Sequence, residues 1–232
     1  MLNADDSYTP ASLNRLKEAI RRKRPLVLWI GAGASRWADL PSWHESARRM
    51  RRVFVKTVPA FPDDIAKSLL SSKAYADLFQ LCKDADSKLY NKTLREQFGS
   101  PTFDPLYKQL IARLRALAPI QIVTTNVDLC LEQWLGAIDV IERADLERCN
   151  ECIQSNTSFV AKLHGSISAI QSVVFTTADY QDLIRDAQYM AAVKSIFTQA
   201  SVIFLGYGAQ DEYVLTRATR SEKGSVISPS HT

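Results

Sequence analysis

Three polar side chains in this 232-residue chain are of the types that move protons or hold a reactant: Asn126, Asp128 and His164. Asn126 offers an amide that both donates and accepts, and Asp128 a carboxylate. His164 offers an imidazole whose ordinary pKa of about 6.5 suits proton transfer near neutrality. Two glycine-bearing stretches accompany them. Gly31-Ala32-Gly33 leads to Ser35, and Gly206-Tyr207-Gly208 leads to Asp211. Glycine has no Cβ, so such stretches let backbone approach a ligand closely. Where one opens a helix, the free N–H groups and the dipole suit a phosphate. Each residue also has a plainer reading. Asn126 is a favoured helix cap, and Asp128 favours a helix N-terminus electrostatically. A histidine before glycine is commonly a turn residue, and His44 and His231 sit in contexts with no chemical signal. Ser35 as a nucleophile lacks a nearby histidine and a Gly-x-Ser-x-Gly elbow.

These residues must be positioned by the apolar segments that precede them. Leu26 to Ile30 is an apolar run without alternation, as in a strand buried on both faces. Ile120 to Thr124, Phe159 to Leu163, Val173 to Phe175 and Val202 to Leu205 read as further strands, with a short one at Ala137 to Ile141. Helical signals lie between them. Thr9-Pro10 caps a helix carrying Leu13, Leu16 and Ile20, which ends at Pro25. Ser42 and Glu45 have capping-box spacing ahead of Ala47, Met50 and Phe54. Pro59 to Ala118 is helical throughout, with no strand. Leu129, Leu131 and Leu135 mark another helix, and Thr176 with Asp179 opens one carrying Leu183 and Ile184. Alternating strands and helices predict an α/β, doubly wound, mostly parallel sheet with a helical insertion after the first strand. The glycines and polar residues fall at the carboxyl ends of the strands, the edge where open parallel sheets bind ligands.

Composition bounds the function. At 46% hydrophobic and 23% charged residues, the chain has material for a sizeable core. Its longest apolar runs fall far short of the roughly 20 residues that span a bilayer. Met1 to Thr9 shows no signal peptide, so the expectation is a soluble, cytoplasmic protein without membrane contact. The net charge of +4 comes from Arg21 to Arg24 and Arg48 to Arg52. Without interleaved aromatics these read as solvated helix faces, which argues against nucleic-acid contact. Of the four cysteines, only Cys149 and Cys152 have Cys-x-x-Cys spacing, and no second pair completes a zinc site.

Taken together and in order, the motifs resemble the sirtuin-like superfamily. Within it they are similar to the bacterial NAD-cleaving effector domains of antiphage defence. The matching stretches are Gly31-Ala32-Gly33-Ala34-Ser35, Leu40-Pro41-Ser42-Trp43, Thr124-Thr125-Asn126-Val127-Asp128 and Lys162-Leu163-His164-Gly165-Ser166. Thr176 to Tyr180 and Phe204 to Gly208 with Asp211 complete the set, which covers roughly Ser12 to Leu215. The resemblance implies a Rossmann-like domain over residues 1–215, with helices on both faces and an insertion at about 44–118. A polar tail follows at 216–232. NAD is the implied substrate, with Gly31, Ala32, Gly33 and Ser35 at the pyrophosphate and adjacent ribose. Asn126 would position water or a ribose hydroxyl, Asp128 would hold the nicotinamide carboxamide, and His164 would be the general base. Gly206 and Gly208 would line the adenosine side.

Departures from the family pattern carry information. The two Cys-x-x-Cys pairs that form a zinc ribbon after His-Gly in deacetylating relatives are missing, so no zinc is expected and NAD hydrolysis is favoured over deacetylation. Gly208 stands where the family usually has serine. The family's final strand is not found in Thr216 to Thr232, which implies a truncated chain or part of a larger protein. The resemblance also implies a sensor or activator protein or an additional domain as partner, and a possible homo-oligomer. Two other functions share the site: an NAD-dependent protein deacylase or ADP-ribosyl transferase, and a non-catalytic NAD- or ADP-ribose-sensing module.

Overall fold

A computed structural model describes residues 24–102, 105–116 and 119–206, with single positions at 14, 17, 18 and 21. Its centre is a five-stranded sheet of β1 (Leu26–Ile30), β2 (Gln121–Thr124), β3 (Asp139–Ile141), β4 (Phe159–Lys162) and β5 (Ser201–Leu205). Every pairing is parallel, in the order β3-β4-β2-β1-β5. β1 has a neighbour on each side, and its side chains divide between the two faces. Val27 and Trp29 pack into one core cluster, and Leu28 and Ile30 into the other. That double burial is why its sequence does not alternate. The register aligns Ile30 with Thr124 and Leu205, and Thr124 with Lys162. The residues that follow each strand therefore emerge level along one edge.

Helices cover both faces, in an α/β Rossmann-like arrangement. Between β1 and β2 run a short α1 (Ala32–Ser35), α2 (Trp43–Thr57), α3 (Asp63–Ser71), α4 (Tyr75–Ala85), α5 (Ser87–Phe98) and α6 (Pro105–Arg115). The capping box predicted at Ser42 and Glu45 opens α2. After β2 come α7 (Cys130–Leu135), α8 (Arg148–Gln154), α9 (Thr177–Arg185) and α10 (Ala187–Gln199). Tyr107 and Ile111 of α6 and Trp134 of α7 cover one face, while Ile153 of α8 and Val193 and Ile196 of α10 cover the other. A third cluster belongs to α2 to α5. Met50, Phe54, Phe79 and Leu94 pack there against Val127, Ile167 and Phe175, which lie in loops beyond the strands. The helical lobe is thus seated on the carboxyl edge of the sheet.

One predicted strand is absent. Val173 to Phe175 has no ladder partner; Val174 N–H donates to the His164 carbonyl at 3.0 Å, across the end of β4. Val174 fills the sheet cluster while Val173 and Phe175 fill the helical one, so the segment alternates as a strand does without being paired. The helix predicted after Thr9-Pro10 falls largely outside the described residues, as do Gly208, Asp211 and the polar tail. Among the described residues no helix is long and apolar enough to cross a membrane.

The lobe is fastened to the sheet domain between α4 and α9. Lys83 pairs with Asp179 at 2.9 Å, Thr177 donates to Asp77 at 2.5 Å, and Ala178 N–H donates to Gln80 at 3.1 Å. Asp179 also accepts the backbone N–H groups of Phe175 and Thr176, closing the capping box of α9. Burial works to raise its pKa, but Lys83 and the Thr176 and Phe175 bonds prevail and hold it below the ordinary 3.8. Asp179→Ala is expected to lower unfolding free energy at pH 7 by about 1–3 kcal/mol, measured by urea titration. The ionised partner supplies that stability, so the gap between wild type and variant persists above pH 3.8 and closes as pH falls through the lower folded value.

Candidate active site at the carboxyl edge of the sheet

The edge is first a backbone structure. Thr124 Oγ1 donates to the Ile30 carbonyl at 2.7 Å and accepts Asn126 N–H at 3.0 Å, which turns the chain after β2. Leu163 N–H donates to the Thr124 carbonyl at 2.9 Å, and Ile167 N–H to that of Val127 at 2.7 Å. The two glycine stretches meet across the end of β1 and β5. Gly31 N–H donates to Leu205 O at 2.9 Å, and Gly33 N–H to Gly206 O at 2.7 Å. A Cβ on Gly33 would lie 2.7 Å from Gly206 O, and one on Gly206, at φ +62°, would lie 2.5 Å from Ala34 N. These glycines are needed for each other, and the Gly31 and Gly33 amides are engaged by the end of β5.

A relay of side chains runs from β1 to α7. Asn126 Nδ2 donates to Gly31 O at 3.0 Å and to Ser35 Oγ at 2.8 Å. A carbonyl can only accept, so the amide orientation follows, and its own oxygen is left for a ligand. Ser35 donates in turn to Asp128 Oδ2 at 2.8 Å. Its proton is therefore committed, and it is not poised as a nucleophile. Asp128 Oδ1 accepts Cys130 N–H at 3.0 Å, so Asp128 rather than Asn126 serves the first turn of α7.

Two residues that the sequence reading gave no role hold this relay from below. Lys162, fully buried at the end of β4, donates to the Asp128 carbonyl and pairs with Glu132 Oε1 at 2.7 Å. Burial pushes the Glu132 pKa up, against the opposing pull of Lys162. A lysine closing an otherwise apolar strand, Phe-Val-Ala-Lys-Leu, was the available signal.

Ala32, Ser35, Asn126, Asp128 and His164 line one pocket of about 460 Å³, open mouth included. Gly31, Gly33 and Gly206 lie beside it as backbone, and Gly208 is outside the described residues. Trp43, Phe79, Phe98 and Phe175 line it with aromatic rings. Phe175 meets Trp43 edge-on at 4.8 Å and stacks on Phe79 at 5.3 Å. His164 is 1% exposed, and neither ring nitrogen has a hydrogen-bond partner among the described residues. Burial first, and then the charge of Arg143, pushes its pKa down to about 3, so the ring is neutral at pH 7. Its neighbour Gly165 turns at φ +75°, where a Cβ would meet Ser172 O at 2.1 Å. The turn reading thus belongs to the glycine, while the imidazole packs edge-on against Tyr180 at 5.5 Å with neither nitrogen hydrogen-bonded. The four cysteines are free thiols; burial pushes that of Cys149 up to about 12.

A family model described as SIR2-like domain matches residues 120–231. The matched region starts at β2 and contains Asn126, Asp128, Lys162 and His164. It supports a place in the sirtuin-like superfamily, whose SIR2-like domains point to chemistry that uses NAD. No curated protein matches the chain.

Two stability measurements test this account of the site. Between the ordinary histidine value of about 6.5 and the folded value, the unfolded chain binds a proton at residue 164 that the native chain refuses. Stability should therefore fall as pH drops below 6.5 toward 3, and His164→Gln should flatten that slope in urea titrations. Lys162→Met alone leaves Glu132 buried and unpaired, and should cost about 3–5 kcal/mol. Adding Glu132→Leu should recover more than half of that loss.

Proposed function

We propose that this domain is an NAD glycohydrolase, cleaving the nicotinamide–ribose bond to release nicotinamide and ADP-ribose. The observation that carries the reading is the meeting, in one aromatic-walled pocket, of an unpartnered neutral His164 with an Asn126 whose orientation is fixed from behind. In the reaction the bond's electron pair leaves with the ring nitrogen, so nicotinamide departs neutral and C1′ becomes oxocarbenium-like. Such chemistry needs orientation, one held water and a proton acceptor more than it needs a metal.

Asn126 Oδ1 accepts from the attacking water or a ribose hydroxyl and fixes its direction. Water joined to C1′ carries a positive charge and is strongly acidic. A neutral imidazole of depressed basicity suffices to take its proton, and His164 then passes it to solvent. Asp128, with Ser35 on one oxygen and Cys130 N–H on the other, remains an acceptor for the carboxamide N–H. Ala32 and Ser35 face the ribose side of the pocket. Gly31 and Gly33 reach the pyrophosphate if their amides exchange the Leu205 and Gly206 carbonyls for it, and Gly206 with Gly208 takes the adenosine side. Residues from about 44 to 118 form an insertion in the domain.

A role as effector in bacterial antiphage defence, acting in the cytoplasm and held inactive until a sensor, activator or oligomer engages it, rests on the motif resemblance. The test is release of nicotinamide from NAD by the purified protein, followed chromatographically with and without an acyl-lysine peptide. Asn126→Ala and His164→Ala should each lower turnover by about 10²-fold or more. The peptide should have no effect; stimulation by it would indicate a deacylase. Nucleotide binding without turnover, indifferent to His164→Ala, would make the domain a sensing module and overturn the reading.

A further inference from the structure

The pocket holds a second unexplained polar group. Ser46 of α2 lines the cavity, is 1% exposed, and its hydroxyl has no hydrogen-bond partner among the described residues. A helical serine commonly turns its hydroxyl back to the carbonyl one turn earlier. Here the Ser42 carbonyl takes only the Ser46 N–H, at 2.8 Å. A buried hydroxyl in this condition is destabilising unless a ligand pairs with it.

The inventory of donors around the pocket says what that ligand must offer. Both N–H bonds of Asn126 are committed to Gly31 and Ser35, and the Ser35 proton is committed to Asp128. Asp128 can only accept. The fully buried side-chain donors left without a hydrogen-bond partner among the lining residues are the Ser46 hydroxyl and one N–H of neutral His164. A carboxamide needs both kinds of partner, an acceptor for its N–H and a donor for its oxygen. Asp128 supplies the first, and Ser46 is a donor in the same cavity. Around them Trp43, Phe79, Phe98 and Phe175 offer flat apolar surface to a planar ring.

We infer that Ser46 is a specificity contact for the leaving base, donating its hydroxyl to the carboxamide oxygen of nicotinamide. This deepens the glycohydrolase reading and rests on it for the identity of the base. A ring without a carbonyl would leave the hydroxyl unpaired, and a ring acid would set its charge against Asp128. Both should bind poorly.

The experiment uses the whole chain and three probes, nicotinamide, 3-acetylpyridine and pyridine, titrated against wild type and Ser46→Ala by ligand-observed NMR. Ser46→Ala should weaken nicotinamide and 3-acetylpyridine about tenfold and leave pyridine unchanged, because only the first two carry the carbonyl. The ligand-free variant should melt at the same temperature as wild type or higher, since it loses an unpaired buried hydroxyl. A structural hydroxyl would do the reverse, lowering the melting temperature and affecting all three probes alike, and that result would overturn the inference. So would unchanged nicotinamide affinity in Ser46→Ala, or wild type that binds none of the probes. Failure of the glycohydrolase reading is separately visible. Ser46-dependent binding of nicotinamide without turnover of NAD under any activating condition would uphold the contact and refute the hydrolase.

Discussion

A buried ammonium group sets the terms for the rest of the site. Lys162 stands at the end of β4 with almost no access to water. Removing such a charge from solvent costs several kcal/mol, offset only by close and well-aligned partners. Those partners are Glu132, on the first turns of α7, and the carbonyl of Asp128, in the loop between β2 and that helix. One side chain thus fixes a strand, a loop and a helix to one another. With the Asp128 backbone held, its carboxylate faces Ser35, Ser35 faces Asn126, and Asn126 faces the carbonyl of Gly31. The chain of bonds crosses from β4 through β2 to β1. A buried pair of this kind contributes little net stability and much geometric definition, which is what a site of oriented donors and acceptors requires.

The two walls of the pocket are built on different principles. The sheet edge is polar, with Asn126, Ser35 and Asp128 satisfied one by the next. Apart from Ser46, the helical lobe is apolar and aromatic, and it rests on Val127, Ile167 and Phe175, so the loops that carry the polar residues are also the lobe's foundation. The Lys83–Asp179 pair fastens the same contact at its rim, and Asp179 orders the segment that delivers Phe175 to the pocket. Displacing the lobe would therefore disturb the polar wall as well. The cover of the pocket and the orientation of its polar wall are coupled through shared residues.

Much of this was legible in the chain because it is local. A run such as Leu26 to Ile30 announces a doubly covered strand, and Ser42 with Glu45 announces a helix start. Once the strands are parallel, Gly31, Asn126, His164 and Gly206 must share an edge. What stayed hidden depends on partners distant in sequence. Glu132 lies 30 residues from Lys162, so neither looks paired. The glycines at 33 and 206 invited a phosphate reading, and their mutual contact is visible only with β5 beside β1. Val173 to Phe175 misled for a physical reason: alternate burial between two cores has the same pattern as a strand between sheet and solvent. Ser46 reads as an ordinary helical serine until the absence of a backbone bond to its hydroxyl is known.

For the hydrolysis proposed above, the low basicity of His164 bears on the order of events. A base with a pKa near 3 would scarcely deprotonate a free water molecule at neutral pH. A concerted mechanism, with water activated before the glycosidic bond breaks, would be poorly served. Departure of the base first reverses the requirement. The oxocarbenium centre needs no strong nucleophile, and the adduct it forms sheds a proton to almost any acceptor held nearby. A neutral imidazole also adds no positive charge next to a cationic intermediate, whereas a protonated one would oppose its formation. Burial that makes His164 a weak base in the free protein is thus consistent with a dissociative cleavage in which orientation by Asn126 and acceptance of a late proton are the residues' separate tasks.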